Sequence, residues 1–481
     1  MFEKKTIRTE KMYIGGEWKD GKKTFNVISP STQKIVALVA GADLDDCSLV
    51  CETAYLSREI ASKMPAFERG EILKKTSEKL KENSEEFVGL ITEEAGKPIT
   101  DSKGEVKAAI ERLEFGAEEA HRLYGEALRG DAVSSSATKL GMTIRQPLGV
   151  ILGITPFNYP LYIPVSKIAP AIASGNTVII KPASSDPTPI LRLAKLFEEA
   201  GLPKGVLQVV TGQGAEIGDF LVAHPKINMI TFTGNTKTGE EIAKKAVLAK
   251  LHLELGGKSP AIVVKPCNLN LAVKECVKGA FKYAGQRCDA VSRILVVDSL
   301  YDEFISKALI EAESWKMGDP FDAATQIGPL ISEAGISKVT ELVGEAIYKG
   351  AKVLMGGGPI RGLYFSPTIL CEVTTSMRIA WEETFGPVVT IIRVKDFEEA
   401  IKIANESEFG LDASIFTSDI DLAMNAAMRL ESGTVQINGA PAHGLGNFLY
   451  GGDESSGMGR EGIYVSAEEM TKLHSIVFNP S

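Results

Sequence analysis

Val178-Ile179-Ile180-Lys181-Pro182-Ala183 decides the fold. Its first three residues read as a short apolar strand, and the lysine falls at the strand's carboxyl end. A helix follows over 187–200, with proline early and Gly201-Leu202-Pro203 closing it, the usual placement of proline at a helix start and glycine past its end. The next strands read as 206–210 and 229–232, and a helix follows near 238–248. Strand and helix alternating in this way imply a parallel sheet with helices on both faces.

Working outward, the first third reads as helical. Ile72, Leu73, Leu80, Phe87, Leu90 and Ile91 recur at roughly helical spacing, and Gly96-Lys97-Pro98 stops the run. A second helix carries Val106, Ile110, Leu113, Ala117 and Ala120 on one side. Downstream, 294–297 and 352–354 read as strands, and 301–314 and 338–349 as helices. The expected fold class is therefore α/β, with two α/β domains in tandem. The stretch 473–478 reads as an extended strand able to pair with another subunit's sheet edge. Uncharged, apolar 146–166 is long enough to span a bilayer. Pro147, Pro156, Pro160 and Pro164 break it too often for one membrane helix, so it reads as a buried strand followed by a loop packed under a site.

A chain of 481 residues is too long for one core. Its net charge of −9, with both signs mixed along the chain, argues against a nucleic-acid partner. Six cysteines are scattered. Cys47 and Cys51 lie one helical turn apart, but with no second pair nearby they read as small buried residues and not as metal ligands. That usage fits a reducing, cytoplasmic setting and not a disulfide framework. Residues 1–12 are charged and lack an apolar core, so they are not expected to be a signal peptide.

Two glycine-boxed groups carry the chemistry: Leu253-Glu254-Leu255-Gly256-Gly257 and Gly285-Gln286-Arg287-Cys288. Glycine lets the backbone approach a ligand closely. A thiol and a carboxylate boxed in this way suggest a nucleophile and a base joined by folding, and so covalent catalysis through a thioester. Arg287 beside Cys288 is expected to favour the thiolate. Glu254 between leucines is expected to have a raised pKa, useful to a base near neutrality. No histidine lies between His252 and His443, which disfavours a Cys-His hydrolase. Lys181 and the run Gly234 to Gly239, each after a strand, suit a nucleotide, with a helix N-terminus aimed at phosphate. Gly212-Gln213-Gly214 with Gly218 misses the dinucleotide spacing by one and reads first as a turn; Gly214 stays among the cofactor candidates.

Seven motifs in register then make a resemblance specific. They are Thr155-Pro156-Phe157-Asn158, Lys181-Pro182-Ala183, Phe232-Thr233-Gly234-Asn235, the two boxes above, Glu383-Thr384-Phe385-Gly386-Pro387 and Ser456-Gly457-Met458-Gly459-Arg460-Glu461. Over nearly its whole length the chain resembles the aldehyde dehydrogenase superfamily. Phe157-Asn158-Tyr159-Pro160 and Phe115-Gly116-Ala117-Glu118-Glu119 look like its branch acting on glyceraldehyde and glyceraldehyde 3-phosphate.

The resemblance implies a Rossmann-like cofactor domain (1–125 and 147–256), a catalytic domain (257–457) and a β oligomerisation arm (126–146 and 458–481). The arm's two segments pair, and a homo-oligomer, dimer or tetramer, is expected. Cys288 would be the nucleophile, and Glu254 would activate the deacylating water. The Asn158 side chain and the Cys288 backbone N–H would form the oxyanion hole. Lys181 would hold the cofactor ribose, Gly234 and Asn235 the pyrophosphate, and Glu383 the nicotinamide ribose, with Phe385 near the nicotinamide. Thr155, Pro156, Phe157, Gly239 and Leu255 complete the cofactor set.

NAD-preferring members carry a glutamate where this chain has Ser184. NADP is therefore expected, with NAD weaker. Phosphate-using members anchor substrate with several arginines; here Ala108 and His443 align with two of them and Arg287 remains. Glyceraldehyde is expected first and lactaldehyde second, with Tyr159, Arg287 and His443 as substrate contacts. Glyceraldehyde 3-phosphate and succinate semialdehyde are alternatives. A coenzyme-A-acylating enzyme or a non-catalytic binding protein is more remote, since Glu254 and the other site residues are intact. The family's late Phe-Gly-Gly-x-Lys element is replaced by Tyr450-Gly451-Gly452-Asp453-Glu454.

Overall fold

The computed structural model describes residues 7–442 and 447–479. One sheet has eight strands, in the order Gly457–Met458, Lys250–Glu254, Met229–Thr233, Val150–Ile154, Thr177–Lys181, Leu207–Val209, Met12–Ile14, Glu17–Lys19. Its five central strands are parallel, and both edges are closed by antiparallel pairs. Every residue of Thr177–Lys181 and Met229–Thr233 is buried. Burial on both faces is why such strands read as unbroken apolar runs. Each of Val178, Ile179 and Ile180 is fully out of water, worth about 1.5–3 kcal/mol apiece.

The second sheet has seven strands: Lys352–Met355, Thr368–Cys371, Val388–Val394, Arg293–Val297, Pro260–Val263, Asp412–Phe416, Thr434–Ile437. All its neighbours are parallel except the first pair. A third, antiparallel sheet joins Thr471–Phe478, Leu140–Pro147 and Ala127–Arg129. The C-terminal strand therefore finds its partner within its own chain.

Three expectations need correction. The first third is not all helix: five short strands occupy its start, between Arg8 and Gly41. The helical run through Leu80 and Phe87 is two helices, Ala66–Glu82 and Ser84–Ala95, meeting at Asn83; a period of 3.6 alone does not show such a joint. The apolar stretch 146–166 is strand Val150–Ile154, then a loop, but its end is helical, since Tyr162–Ala173 is a helix. Pro164 is tolerated there because first-turn N–H groups have no intrahelical acceptor. No helix among the described residues is long and apolar enough to cross a membrane. Cys47 and Cys51 are free and buried on the helix Leu44–Lys63, and burial pushes both thiols up to about 12. They pack as small apolar groups.

Candidate active site

Register places the strand-end residues side by side. Ile154 pairs with Lys181, Phe232 with Ile154, and Thr233 with Glu254. The loop starting at Thr155, the lysine, the turn at Gly234 and the carboxylate thus share one carboxyl edge, where α/β sheets bind ligands. Asn235 precedes the helix Thr236–Lys245 and makes no side-chain cap, so that N-terminus stays available to an anion. A Cβ at Gly234 would lie 2.6 Å from the Phe232 ring, and one at Gly239 2.4 Å from Leu255. Both positions require glycine for packing. Lys181 is buried and donates to the Pro182 carbonyl at 3.0 Å; burial lowers it to about 8.

Cys288 arrives from the second sheet. The chain turns sharply before it, with Tyr283, Ala284 and Gly285 all at positive φ (52°, 52° and 68°). Two non-glycine residues there store strain, as active sites do. A Cβ at Gly285 would lie 2.1 Å from the Gly386 carbonyl oxygen. Gln286 pins the turn: its amide donates to the Pro329 carbonyl and accepts from the Ile331 N–H at 2.9 Å. Its own carbonyl accepts from Asn158 Nδ2 at 3.0 Å. That bond brings the amide of the first sheet's loop against the cysteine box.

The charge expected at Cys288 is not what the structure shows. Burial pushes the thiol well up, and Asp289, Glu383 and Glu254 add to this; the Tyr450 hydroxyl, 3.4 Å from Sγ, opposes it. Arg287 is not aimed at the sulfur. Its guanidinium donates to the Gly279 carbonyl at 2.8 Å and faces Asp289 at 3.5 Å. Against the expectation that Arg287 favours the thiolate, burial first and then the nearby carboxylates push the thiol up, and the guanidinium is turned to the Gly279 carbonyl and Asp289.

Glu254 is buried, and burial raises it to about 7, with His252 opposing and Glu461 adding to the rise. The expected rise of the Glu254 carboxyl in an apolar setting agrees in direction and cause. Gly451, at φ +146°, covers the carboxylate: a Cβ there would come within 2.8 Å of Oε1.

A cavity of about 490 Å³ runs from these strand ends to Cys288. Thr155, Pro156, Phe157, Asn158, Gly234, Asn235, Leu255, Glu383 and Phe385 all line it. Phe157 and Phe385 meet edge to face at 6.0 Å. Gly257 N–H donates to Glu383 at 3.3 Å. Lys181, Ser184, Gly214 and Gly239 are not in its wall. Ser184 donates its hydroxyl to the Gly212 carbonyl at 2.9 Å, so the hydrogen bond expected for a phosphate is already used. Gly214 is exposed at the start of the helix Gly214–Val222.

Tyr159 and Arg287 instead line a separate cavity of about 200 Å³, with Lys97, Asp101, Glu105 and Lys282. His443 lies outside the described residues.

This geometry has known counterparts. The aldehyde dehydrogenase family model matches residues 18–476. The chain is 39% identical to the 3-sulfolactaldehyde dehydrogenase of Priestia aryabhattai, over 97% of this chain and 98% of that one. It is 39% identical to the lactaldehyde dehydrogenase of Methanocaldococcus jannaschii, over 97% and 100%. The crystal structure of the NADP-dependent glyceraldehyde-3-phosphate dehydrogenase from Bacillus halodurans C-125 complexed with NADP superposes with a TM-score of 0.96. That match is 39% identical and covers 98% of this chain and 99% of that one. The chain belongs to the aldehyde dehydrogenase family, and the expected α/β fold of that family is the fold observed.

Sequence reasoning missed Gln286 as the brace for Asn158, Tyr450 as the thiol's neighbour, and His252. Only His252 had a usable signal: it sits two residues before Glu254 on a strand, hence on the same face.

Proposed function

We propose that the protein oxidises a small hydroxylated aldehyde, glyceraldehyde first, to its carboxylic acid with NADP as acceptor. Cys288 and Asn158, brought from two sheets to the wall of one cavity, with Glu254 buried close enough to act on the thiol, carry this reading. The cavity fits a dinucleotide. Its glycines permit close approach, the helix after Asn235 is uncapped, and the Thr155 and Thr233 hydroxyls are buried without a protein partner. Asn235 and Gly234 would hold the pyrophosphate, Lys181 and Glu383 the riboses, and Phe385 would flank the nicotinamide. When bound, the oxidised cofactor supplies the two-electron acceptor.

The chain's own groups do the rest. Cys288 releases its proton to water in the cavity that it lines, and the resulting thiolate attacks the aldehyde carbon. Asn158 Nδ2, with the Cys288 N–H, steadies the oxygen that gains charge. After oxidation Glu254 takes a proton from water as that water attacks the thioester. A base near pH 7 is suited to that task.

The smaller cavity supports a neutral substrate. Lys97 pairs with Glu105, Lys282 faces Asp101 at 3.7 Å and Arg287 faces Asp289 at 3.5 Å. Each lining cation already has a carboxylate, which leaves hydroxyl-sized recognition and not a site for a dianion. A second reading, a three-carbon aldehyde with an anionic head, is favoured by Arg112. One of its guanidinium nitrogens is buried without a protein partner beside Tyr162, to whose hydroxyl another donates.

The proposed organisation keeps 1–125 with 147–256 as cofactor domain, 257–457 as catalytic domain, and 126–146 with 458–481 as arm. Exposed Leu128, Leu140, Leu473, Val477 and Phe478 on the arm sheet support a homo-oligomer, dimer or tetramer. Six free cysteines support a cytoplasmic home. Specificity constants for glyceraldehyde, lactaldehyde, glyceraldehyde 3-phosphate and 3-sulfolactaldehyde, each with NADP and NAD, test the reading. A clear win for either anionic substrate would sink glyceraldehyde and promote the Arg112 reading.

A further inference from the structure

Asp289 follows the nucleophile in the chain, yet no step above uses it. A turn at 287–290, closed by the Ala290 N–H on the Arg287 carbonyl at 3.2 Å, folds its side chain back on the Arg287 guanidinium. Oδ1 lies 3.5 Å from Nη1, and both side chains are buried, Asp289 completely. A guanidinium does not shed its proton, so a buried one needs a counter-charge. Among the described residues, no other carboxylate lies within ion-pair distance of Arg287. Asp412 feels the same guanidinium but is held well above the carboxylate range, by burial first and Asp289 next, so the counter-charge falls to Asp289. Neither Asp289 oxygen accepts a hydrogen bond among the described residues, which leaves the cation as its support. Arg287 lines the smaller cavity, whereas Asp289 is not in its wall. Arg287 Nη2 is tied to the Gly279 carbonyl, and its buried Nε has no hydrogen-bond partner among the described residues. The cavity therefore presents a cation with a spare donor, cancelled from behind by a carboxylate that a ligand in the cavity does not touch.

We propose that Asp289 sets the charge of the substrate: by cancelling Arg287 from behind the smaller cavity, it denies an anionic head the advantage it would otherwise find there. The proposal deepens the reading of that cavity as the site of a neutral hydroxyaldehyde and rests on it. An anion beside Arg287 is drawn by the guanidinium and repelled by the carboxylate just behind it, so the two effects offset. A hydroxyl group feels neither strongly. With the negative charge removed, the same guanidinium becomes the core of an anion site, able to donate to a phosphate or sulfonate. Asp289 acts through Arg287 and is a positioning residue. It has one further effect: after burial, it is the strongest of the groups that push the Cys288 thiol up. A test of substrate charge must therefore be independent of how much thiolate is present, which a ratio of two reagents at one thiol provides.

Asp289→Asn keeps the shape of the side chain and removes its charge. With NADP, its ratio of specificity constants for glyceraldehyde 3-phosphate over glyceraldehyde should rise by about tenfold to a hundredfold over the parent, mainly through KM. Inorganic sulfate should inhibit glyceraldehyde oxidation at about tenfold lower concentration. Adding Arg287→Gln to Asp289→Asn should return both readouts towards the parent, which a general loosening of the fold would not do. A readout without turnover is the ratio of Cys288 alkylation rates by iodoacetate and by iodoacetamide, followed on the peptide by mass spectrometry. Arg287 and the thiol feel each other, so this ratio should also rise in Asp289→Asn, while the thiolate fraction cancels. If the buried substitution fails to fold, the parent decides. Its iodoacetate-to-iodoacetamide ratio should be no higher than that of glutathione, because the cation is already cancelled. A parental ratio several-fold above glutathione's would overturn the proposal, as would unmoved substrate and alkylation ratios in Asp289→Asn. A parent that prefers glyceraldehyde 3-phosphate removes the neutral-substrate reading and the proposal together. A parent that prefers glyceraldehyde beside an Asp289→Asn with unmoved ratios removes the proposal alone.

Discussion

The two cavities, the larger lined by Cys288 and the smaller by its neighbour Arg287, are built differently. The larger is walled by strand ends and the turns after them, and most of its recognition groups are backbone or glycine-framed. The smaller gathers Asp101 and Glu105 from one helix, Tyr159 from a loop, and Lys282 and Arg287 from the strained turn. A pyrophosphate-sized ligand can be held by backbone that any α/β sheet presents. A small aldehyde must be told apart by side chains brought from separate segments. The first task leaves motifs in the sequence; the second leaves scattered single residues.

The sharpest way to break this picture is at the nucleophile. Cys288→Ala should lower aldehyde oxidation by about 10⁴-fold or more, because the covalent route is gone, while NADP still binds in equilibrium titration. Normal turnover would separate both cavities from the chemistry. Glu254→Gln should leave the burst and slow the steady state by about 10²- to 10⁴-fold. In the parent, deacylation should rise with pH through about 7, since burial raises Glu254 to that value and only its ionised form accepts a proton. A flat profile from pH 6 to 8, in a regime where deacylation limits turnover, would count against the assignment.

Within the larger cavity, Ser184→Glu should move preference from NADP towards NAD by about tenfold to a hundredfold, as a carboxylate repels a 2′-phosphate. Asp186 does not already supply that charge. It is fully buried and held well up towards neutrality by burial and Glu94. Unchanged specificity-constant ratios would show that position 184 does not face the ribose.

Much of the fold was legible, for a physical reason. Val178-Ile179-Ile180 and Met229 to Phe232 are central parallel strands, buried on both faces, so composition alone marks them. The edge strands Met12–Ile14 and Glu17–Lys19 are three residues each and pair antiparallel; segments that short have no period to detect. In the site, Cys288 and Glu254 stood out because glycine boxes them. The contacts of Asn158 with Gln286 and of Cys288 with Tyr450 span 128 and 162 residues, distances over which no local pattern carries. Arg287 misled because adjacency in sequence does not settle where a guanidinium points.

Tyr450 offers the smallest effect and the finest test, since its hydroxyl touches the nucleophile and its phenol also feels Glu254. Its backbone is fixed by paired hydrogen bonds with Glu461, and its hydroxyl lies 3.4 Å from Cys288 Sγ. Burial, Cys288, Asp289, Asp412 and Glu254 all hold the phenol well above its ordinary range, so it remains a donor at any working pH. A donor to sulfur favours the thiolate over the thiol. Tyr450→Phe keeps the ring and removes only that donor. The pH midpoint for alkylation of Cys288 by iodoacetamide, followed on its peptide by mass spectrometry, should rise by about one unit. At neutral pH that is roughly a tenfold slower reaction. The larger cavity should not notice, so NADP affinity should stay within about twofold. An unmoved midpoint would reduce Tyr450 to packing. A moved midpoint with weakened NADP binding would mean that the two cavities are less separable than their construction implies.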